Sequence, residues 1–304
     1  MKIVFESSNK KYGFPFRVIG NAGRYDTLSD CDFLNDNIIV CGDRQMAKLY
    51  LIEFDYEKDT YNVLDSIDAV VNSKPIHSEL IHILGNKVYS ISYTSELFSC
   101  EIIENKFHSL NLININPGDA YHGLISDGNE SLYLTNMIKN TILHYNLRNG
   151  SKKIIQCSCG VRMKDAAIID NKYMLVISSD KGPINGTFTK DGKVSPQGNF
   201  YDSHILIMDR INGTCLRRYT LEKTQIDGCF FYKNYAFVTC TRYDGTGYLW
   251  RAFLTSDYNF IEIHEINCAG FPHGISIHND ILAYTSYSDS ALYIHKLDAD
   301  CNLL

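Results

Sequence analysis

The side chains of this 304-residue chain best suited to chemistry stand at the start of short apolar runs. His122 opens "HGLISD", Asp227 opens "DGCFFY" and His273 opens "HGISIH", each with a glycine next to it. Asp165 opens "DAAIID", Asp30 opens "DCDF", and Ser78 or Glu79 opens "SELIHIL". Two imidazoles gathered with several carboxylates can bind a divalent ion or exchange protons with a substrate, and an imidazole beside carboxylates titrates where a proton shuttle works. His122, His273, Asp165 and Asp227 are therefore the candidate catalytic residues. Glycine after the histidine lets backbone approach a ligand closely. The plainer reading is that polar residues at strand starts cap strand ends and hold buried water.

Residues so far apart converge only if the chain repeats itself, and it does. "HGLISDGNESLYLTNMIKNTILHYNL" and "HGISIHNDILAYTSYSDSALYIHKL" superpose with Thr135 on Thr285, Leu132 on Leu282 and Leu147 on Leu297. The same order of apolar run, Asn/Gly/Asp turn, second run, polar loop and third run occurs four more times. It places Cys41, Ile91, Ile177 and Thr239 at the positions of Thr135 and Thr285, giving intervals of 50, 44, 42, 62 and 46 residues. Periods of about 40 to 50 with several short strands per unit mark propeller blades rather than helical solenoids. Alternating runs such as "KLYLIEF", "KVYSISY" and "HILIMD" read as strands, and no amphipathic helical pattern is present.

The expected fold is all-β: a single six-bladed β-propeller over 1–304 with four-stranded blades. Five copies carry a further strand-like run, whereas only "ADCNLL" follows the sixth. The N-terminal run "KIVFES" is expected to complete the last blade, because an open edge invites aggregation; "FPFRVI" is the alternative closing strand. The long interval is accounted for by a loop or hairpin insertion at about 178–203, rich in Gly, Pro, Asn and Asp.

In such a fold the loop before each innermost strand and the loop between the second and third strands share one face. That places Asp30, as a candidate ligand-binding residue, beside the candidate catalytic residues. The second class of loop adds Arg44, Arg242, Asn136, Tyr93 and Tyr287 as candidate ligand-binding residues, with Lys139, Lys181 and Tyr243 nearby. Arg and Lys facing carboxylates suit a polar or anionic molecule such as a sugar acid, a lactone or a sugar phosphate. Tyr offers sugar rings an apolar face. Solvent-facing loops also carry charge and Tyr without any ligand.

Composition narrows the partners. The net charge is −6 with scattered Lys and Arg, so nothing suggests a nucleic-acid partner. No apolar stretch approaches a membrane span or an export signal, and the expectation is a cytoplasmic protein with no membrane partner. Ten Cys without regular spacing then read as reduced core thiols, including the "CSC" of Cys157 and Cys159. No Gly-x-Ser-x-Gly elbow supports a serine hydrolase.

The strands ending in Thr-Asn or Thr-Ser, in "SLYLTNMIKNTILHYNL" and "ILAYTSYSDSALYIHKL", resemble the repeat of the lactonase-like and YVTN-type β-propellers. This resemblance implies either of two functions. One is a lactonase-like or sugar-acid hydrolase at the channel mouth, with a divalent metal ion as candidate cofactor but no ligand set assigned. The alternative is a non-catalytic propeller that binds a small polar molecule or a protein partner through the same face. An ordered Glu, Asn, Asn, Asp metal set of the lactonase kind has no match here.

Overall fold

A computed structural model describes residues 1–4, 28–44, 46–92, 95–115, 119–159, 162–180, 202–242, 245–287 and 290–304. Among these residues all regular structure is strand; the strands form six four-stranded antiparallel sheets, the blades of a six-bladed β-propeller, and one two-stranded ribbon, Val70–Val71 with Lys74–Pro75. No helix among them is long and apolar enough to cross a membrane. Five blades are meanders of four consecutive strands, and the sixth joins three consecutive strands to Lys2–Val4. Short turns allow this: Lys233 and Asn234 have φ of 47° and 66°, and Asn279 and Asp280 have φ of 45° and 61°, the left-handed pairs that two-residue hairpins need.

The described sheets fall into two compact units of three blades. The first unit contains the blade Leu28–Phe33, Ile38–Asp43, Lys48–Asp55, Thr60–Asp68 and the blade Ser78–Leu84, Lys87–Ser92, Leu97–Ile103, Lys106–Ile113. Its third blade is Pro272–His278, Ile281–Ser286 and Ala291–Lys296, completed by Lys2–Val4. The sequence expectation for the N-terminal run thus holds: Lys2 lies opposite Tyr293 and Ile3 opposite Leu292. The Met1 ammonium donates to the Ile294 carbonyl at 2.9 Å, and Ile3 is fully buried. The alternative run "FPFRVI" lies outside the described residues.

The second unit contains Tyr121–Ser126, Ser131–Asn136, Thr141–Asn146, Lys152–Gln156; then Met163–Ile168, Tyr173–Ser179, Ser203–Asp209, Cys215–Leu221; then Thr224–Tyr232, Tyr235–Arg242, Gly247–Leu254, Phe260–Asn267. Of the 178–203 insertion, residues 181–201 lie outside the described residues.

Burial drops at the outermost strand of a blade. Ser203–Asp209, a third strand, is buried along nearly its whole length, and Thr60–Asp68, an outermost strand, along almost none of it. The core lies between neighbouring sheets, where β-branched and aromatic side chains of facing strands interlock. Val40, Leu49 and Leu51 pack with Val88 and Phe98 in the first unit. In the second, Leu175 and Ile205 pack with Val238 and Trp250, and the sole Trp stacks edge-on against Phe260 with ring centroids 5.2 Å apart.

Candidate functional site

The innermost strands of five blades begin with an irregularity that sequence does not show. Register shifts fall between Leu28 and Asp30, Ser78 and Leu80, Tyr121 and Gly123, Met163 and Asp165, and Ile226 and Cys229. These β-bulges re-aim the extra side chain. The bulge residues are Ser29, Glu79, His122 and Lys164, with Asp227 inside the wider bulge. Asp30 and Asp165 therefore stand one residue later than the equivalent of His122, which corrects the alignment of leading positions. Pairing puts Gly42, not Cys41, opposite Asp30, as Ile177 lies opposite Asp165 and Thr135 opposite Gly123, so both aspartates take the place of the glycine that follows His122.

Both three-blade units repeat one latch. In the first, His273 Nδ1 and Thr285 Oγ1 reach the Ser29 carbonyl at 2.6 and 3.1 Å, and Asp30 Oδ2 accepts from the Ile81 amide at 2.7 Å. In the second, His122 Nδ1 and Thr135 Oγ1 reach the Lys164 carbonyl at 2.9 and 3.1 Å, and Asp165 Oδ2 accepts from the Cys229 amide at 3.0 Å. A carboxylate accepting a buried amide satisfies a costly orphan donor. Glycine is required beside each histidine for packing: a Cβ on Gly274 would lie 2.6 Å from Asp30 Cα, and one on Gly123 would lie 2.8 Å from Asp165 Cα.

His122, His273, Asp30 and Asp165 thus spend at least one polar atom joining blades. The histidine latch has a chemical consequence. A carbonyl only accepts, so Nδ1 carries the proton and Nε2 is the acceptor in the neutral ring. His273 Nε2 lies 3.7 Å from Glu79 Oε1. Glu79 is ion-paired with the Arg44 guanidinium, both side chains being about 97–98% buried. Tyr287 donates its hydroxyl to Glu79 Oε1 at 3.3 Å, stacks on His273 with centroids 4.0 Å apart, and offers its ring to Arg44 at 4.8 Å. The Arg44 carbonyl also contacts His77 Nδ1 at 2.7 Å, which ties its loop to the neighbouring blade.

Glu79, left beside Ser78 as an either-or by sequence, proves to be the bulge residue of this cluster; Ser78 turns away to bond Ser90 at 2.7 Å. In the second unit the corresponding acid, Asp227, pairs with Lys164 Nζ at 2.6 Å and accepts from Gln225 at 2.8 Å. Lys164 and Gln225 had no signal in sequence beyond their neighbours, because a bulge decides which side chain is re-aimed.

The other nominations separate. Arg242 forms an ion pair with Glu265 of its own blade and stacks over Tyr248 at 4.2 Å. Asn136 is buried and accepts from the amides of Ile138 and Lys139 at 2.8 and 2.9 Å, fixing its own turn. Lys139 pairs with Asp119, which also accepts from the Tyr121 hydroxyl and, with burial, pushes that phenol up. Tyr93, Lys181 and Tyr243 lie outside the described residues.

No protein-family model and no curated protein matches the chain. Solved structures do. The chain is similar over 94% of its length to 80% of Kuenenia stuttgartiensis hydrazine synthase, at TM-score 0.62 and 11% identity. It is similar over its full length to 87% of a catalytically inactive virginiamycin B lyase from Staphylococcus aureus solved with quinupristin, at TM-score 0.58 and 11% identity. Over 90% of its length it matches 97% of the C-terminal WD40 domain of Sif2, at TM-score 0.52 and 10% identity. At these identities the likeness establishes the propeller fold.

Proposed function

We propose that the chain binds a small polar or anionic molecule at the Arg44–Glu79–His273–Tyr287 cluster and hydrolyses it in the manner of a lactonase-like propeller. The observation that carries this reading is the facing of His273 Nε2 and Glu79 Oε1 at 3.7 Å. Two acceptors so placed are bridged by a proton, a water or a cation. A water held between them is polarised from both sides, and His273 Nε2 takes its proton as the oxygen adds to a lactone carbonyl. The tetrahedral adduct then expels the ring oxygen, which leaves with that proton, and the product is a hydroxy acid. Arg44 offsets the Glu79 charge and draws an anionic substrate; Tyr287 gives it a flat face. A divalent ion held by Glu79 and His273 would supply the same polarisation.

The sequence resemblance to lactonase-like propellers and the structural likeness to a lyase support an enzyme. The likeness to a WD40 domain supports the second reading, a propeller that docks a protein. Metal analysis of the purified protein, with a panel of sugar lactones assayed for wild type and His273→Ala, tests the proposal. Hydrolysis that falls about 10²–10⁴-fold in kcat/KM in the variant is expected. A wild-type protein that opens no lactone and carries no metal would overturn it and leave the docking reading.

A further inference from the structure

Three thiols that the proposed function does not use meet in the second unit. Cys157 and Cys159 follow the strand Lys152–Gln156, and Cys215 opens the strand Cys215–Leu221. Residue 158 stitches the two segments together: the Ser158 amide donates to the Gly213 carbonyl at 3.0 Å, and its hydroxyl accepts from the Cys215 amide at 2.9 Å. The approach depends on Gly213, whose φ is 76° and whose Cβ would lie 2.9 Å from the Gln156 carbonyl carbon. Within this stitched corner Cys159 and Cys215 neighbour each other, and both pack against the buried cluster that holds Met163 and Met208. Both are half-buried and free, whereas Cys157 is buried beside Met163 and Met208.

We infer that Cys159 and Cys215 form a reversible oxidation site, with Cys215 the attacking thiolate and Cys159 the resolving thiol. Oxidation by a peroxide proceeds in two balanced steps. The Cys215 thiolate attacks the O–O bond; one oxygen stays as the sulfenic acid and the other leaves as water or alcohol after taking a proton. The Cys159 thiol then attacks the Cys215 sulfur, a disulfide forms and water departs. The peroxide is reduced, and the two thiols are oxidised by two electrons.

The surroundings suit these roles. The Cys159 hydrogen bond, followed by the Arg218 charge, brings the Cys215 thiol down to about 7 against the opposing effect of burial, while the same hydrogen bond holds the Cys159 thiol up. A thiol with a pKa near ambient pH reacts fastest in exchange. The Cys215 thiol also reaches the Arg217 carbonyl at 3.3 Å, a contact the thiolate gives up. The paired thiols were hidden in sequence because "CSC" has no second pair; its partner is a single cysteine on the far strand of the next blade.

The test is disulfide mapping of the intact protein before and after treatment with hydrogen peroxide, with alkylation of remaining thiols. The expected result is a Cys159–Cys215 cross-linked peptide that disappears with a dithiol reductant. In Cys159→Ser the expected product is sulfenic acid at Cys215, trapped by dimedone, and in Cys215→Ser no dimedone adduct appears at either position. Full alkylation of both thiols after peroxide treatment, or oxidation spread equally over the protein's cysteines, would overturn the inference. A circular dichroism spectrum matching wild type keeps either serine variant interpretable.

Discussion

Replacing Glu79 by Gln removes the charge that faces Arg44 while keeping the side chain's shape. Arg44 and Glu79 are 3% and 2% exposed, so the guanidinium stays behind in a site with little solvent to take over its solvation. Breaking a buried pair in this way costs about 3–5 kcal/mol. With a domain of this size moving about 2–4 °C per kcal/mol, the melting temperature should fall by roughly 6–20 °C. The paired substitution Arg44→Met with Glu79→Leu should recover most of that loss, because apolar groups of similar volume replace a buried pair at little cost. The same double variant should lose lactone hydrolysis, which separates the fold from the chemistry. Differential scanning calorimetry at neutral pH, with the three proteins side by side, reads the effect. A Glu79→Gln variant within about 1 kcal/mol of wild type would mean that the pair behaves as a solvated surface bridge, and the reasoning about a buried charged cluster would fail.

Gly274→Ala and Gly123→Ala should each destabilise by about 1–3 kcal/mol through overpacking, because the added carbon meets the backbone of Asp30 or Asp165; urea denaturation with an unchanged m-value checks this. Removal of residues 1–4 exposes the edge of the strand Ala291–Lys296, so the shortened protein should melt earlier and aggregate on light scattering. His295 is stacked on Tyr284, its Nε2 is buried without a hydrogen-bond partner, and burial, followed by the nearby N-terminal charge, holds its imidazole below the ordinary 6.5. The unfolded chain therefore binds the extra proton first, and stability should fall as pH drops below about 6.5 and rise with pH across that window; His295→Phe should flatten the dependence in thermal melts between pH 5 and 7.

Much of the architecture was legible before any coordinates. The six repeat positions counted the blades, and the bond behind them is plain at Thr135, Thr239 and Thr285, whose hydroxyls accept from the amides of Gly123, Gly228 and Gly274 at 2.8, 2.8 and 2.9 Å. The missing fourth strand of the last blade pointed to the N-terminus because every other blade supplied its own. Side-chain direction at the strand starts was not legible. A bulge adds one residue without changing composition, so Asp30 and Asp165 read as equivalents of His122 although they stand one position on and serve as acceptors for a neighbouring blade's amide. For the same reason the sequence does not separate Glu79 from Ser78 and gives Lys164 no signal. The loop residues Arg44 and Tyr287 were legible as a class; that Arg44 turns inward to Glu79 while Arg242 turns to Glu265 depends on an acid supplied by another strand in each case.

The proposed chemistry requires His273 to keep its proton on Nδ1 and to present Nε2 to Glu79. Nitrogen NMR of histidine-labelled protein, with the His273 signal assigned by its loss in His273→Gln, reads the tautomer directly. At a pH where the ring is neutral, the account predicts a protonated Nδ1 and a bare Nε2 whose resonance moves when a sugar lactone or a divalent ion is added. A neutral ring protonated on Nε2 would contradict it.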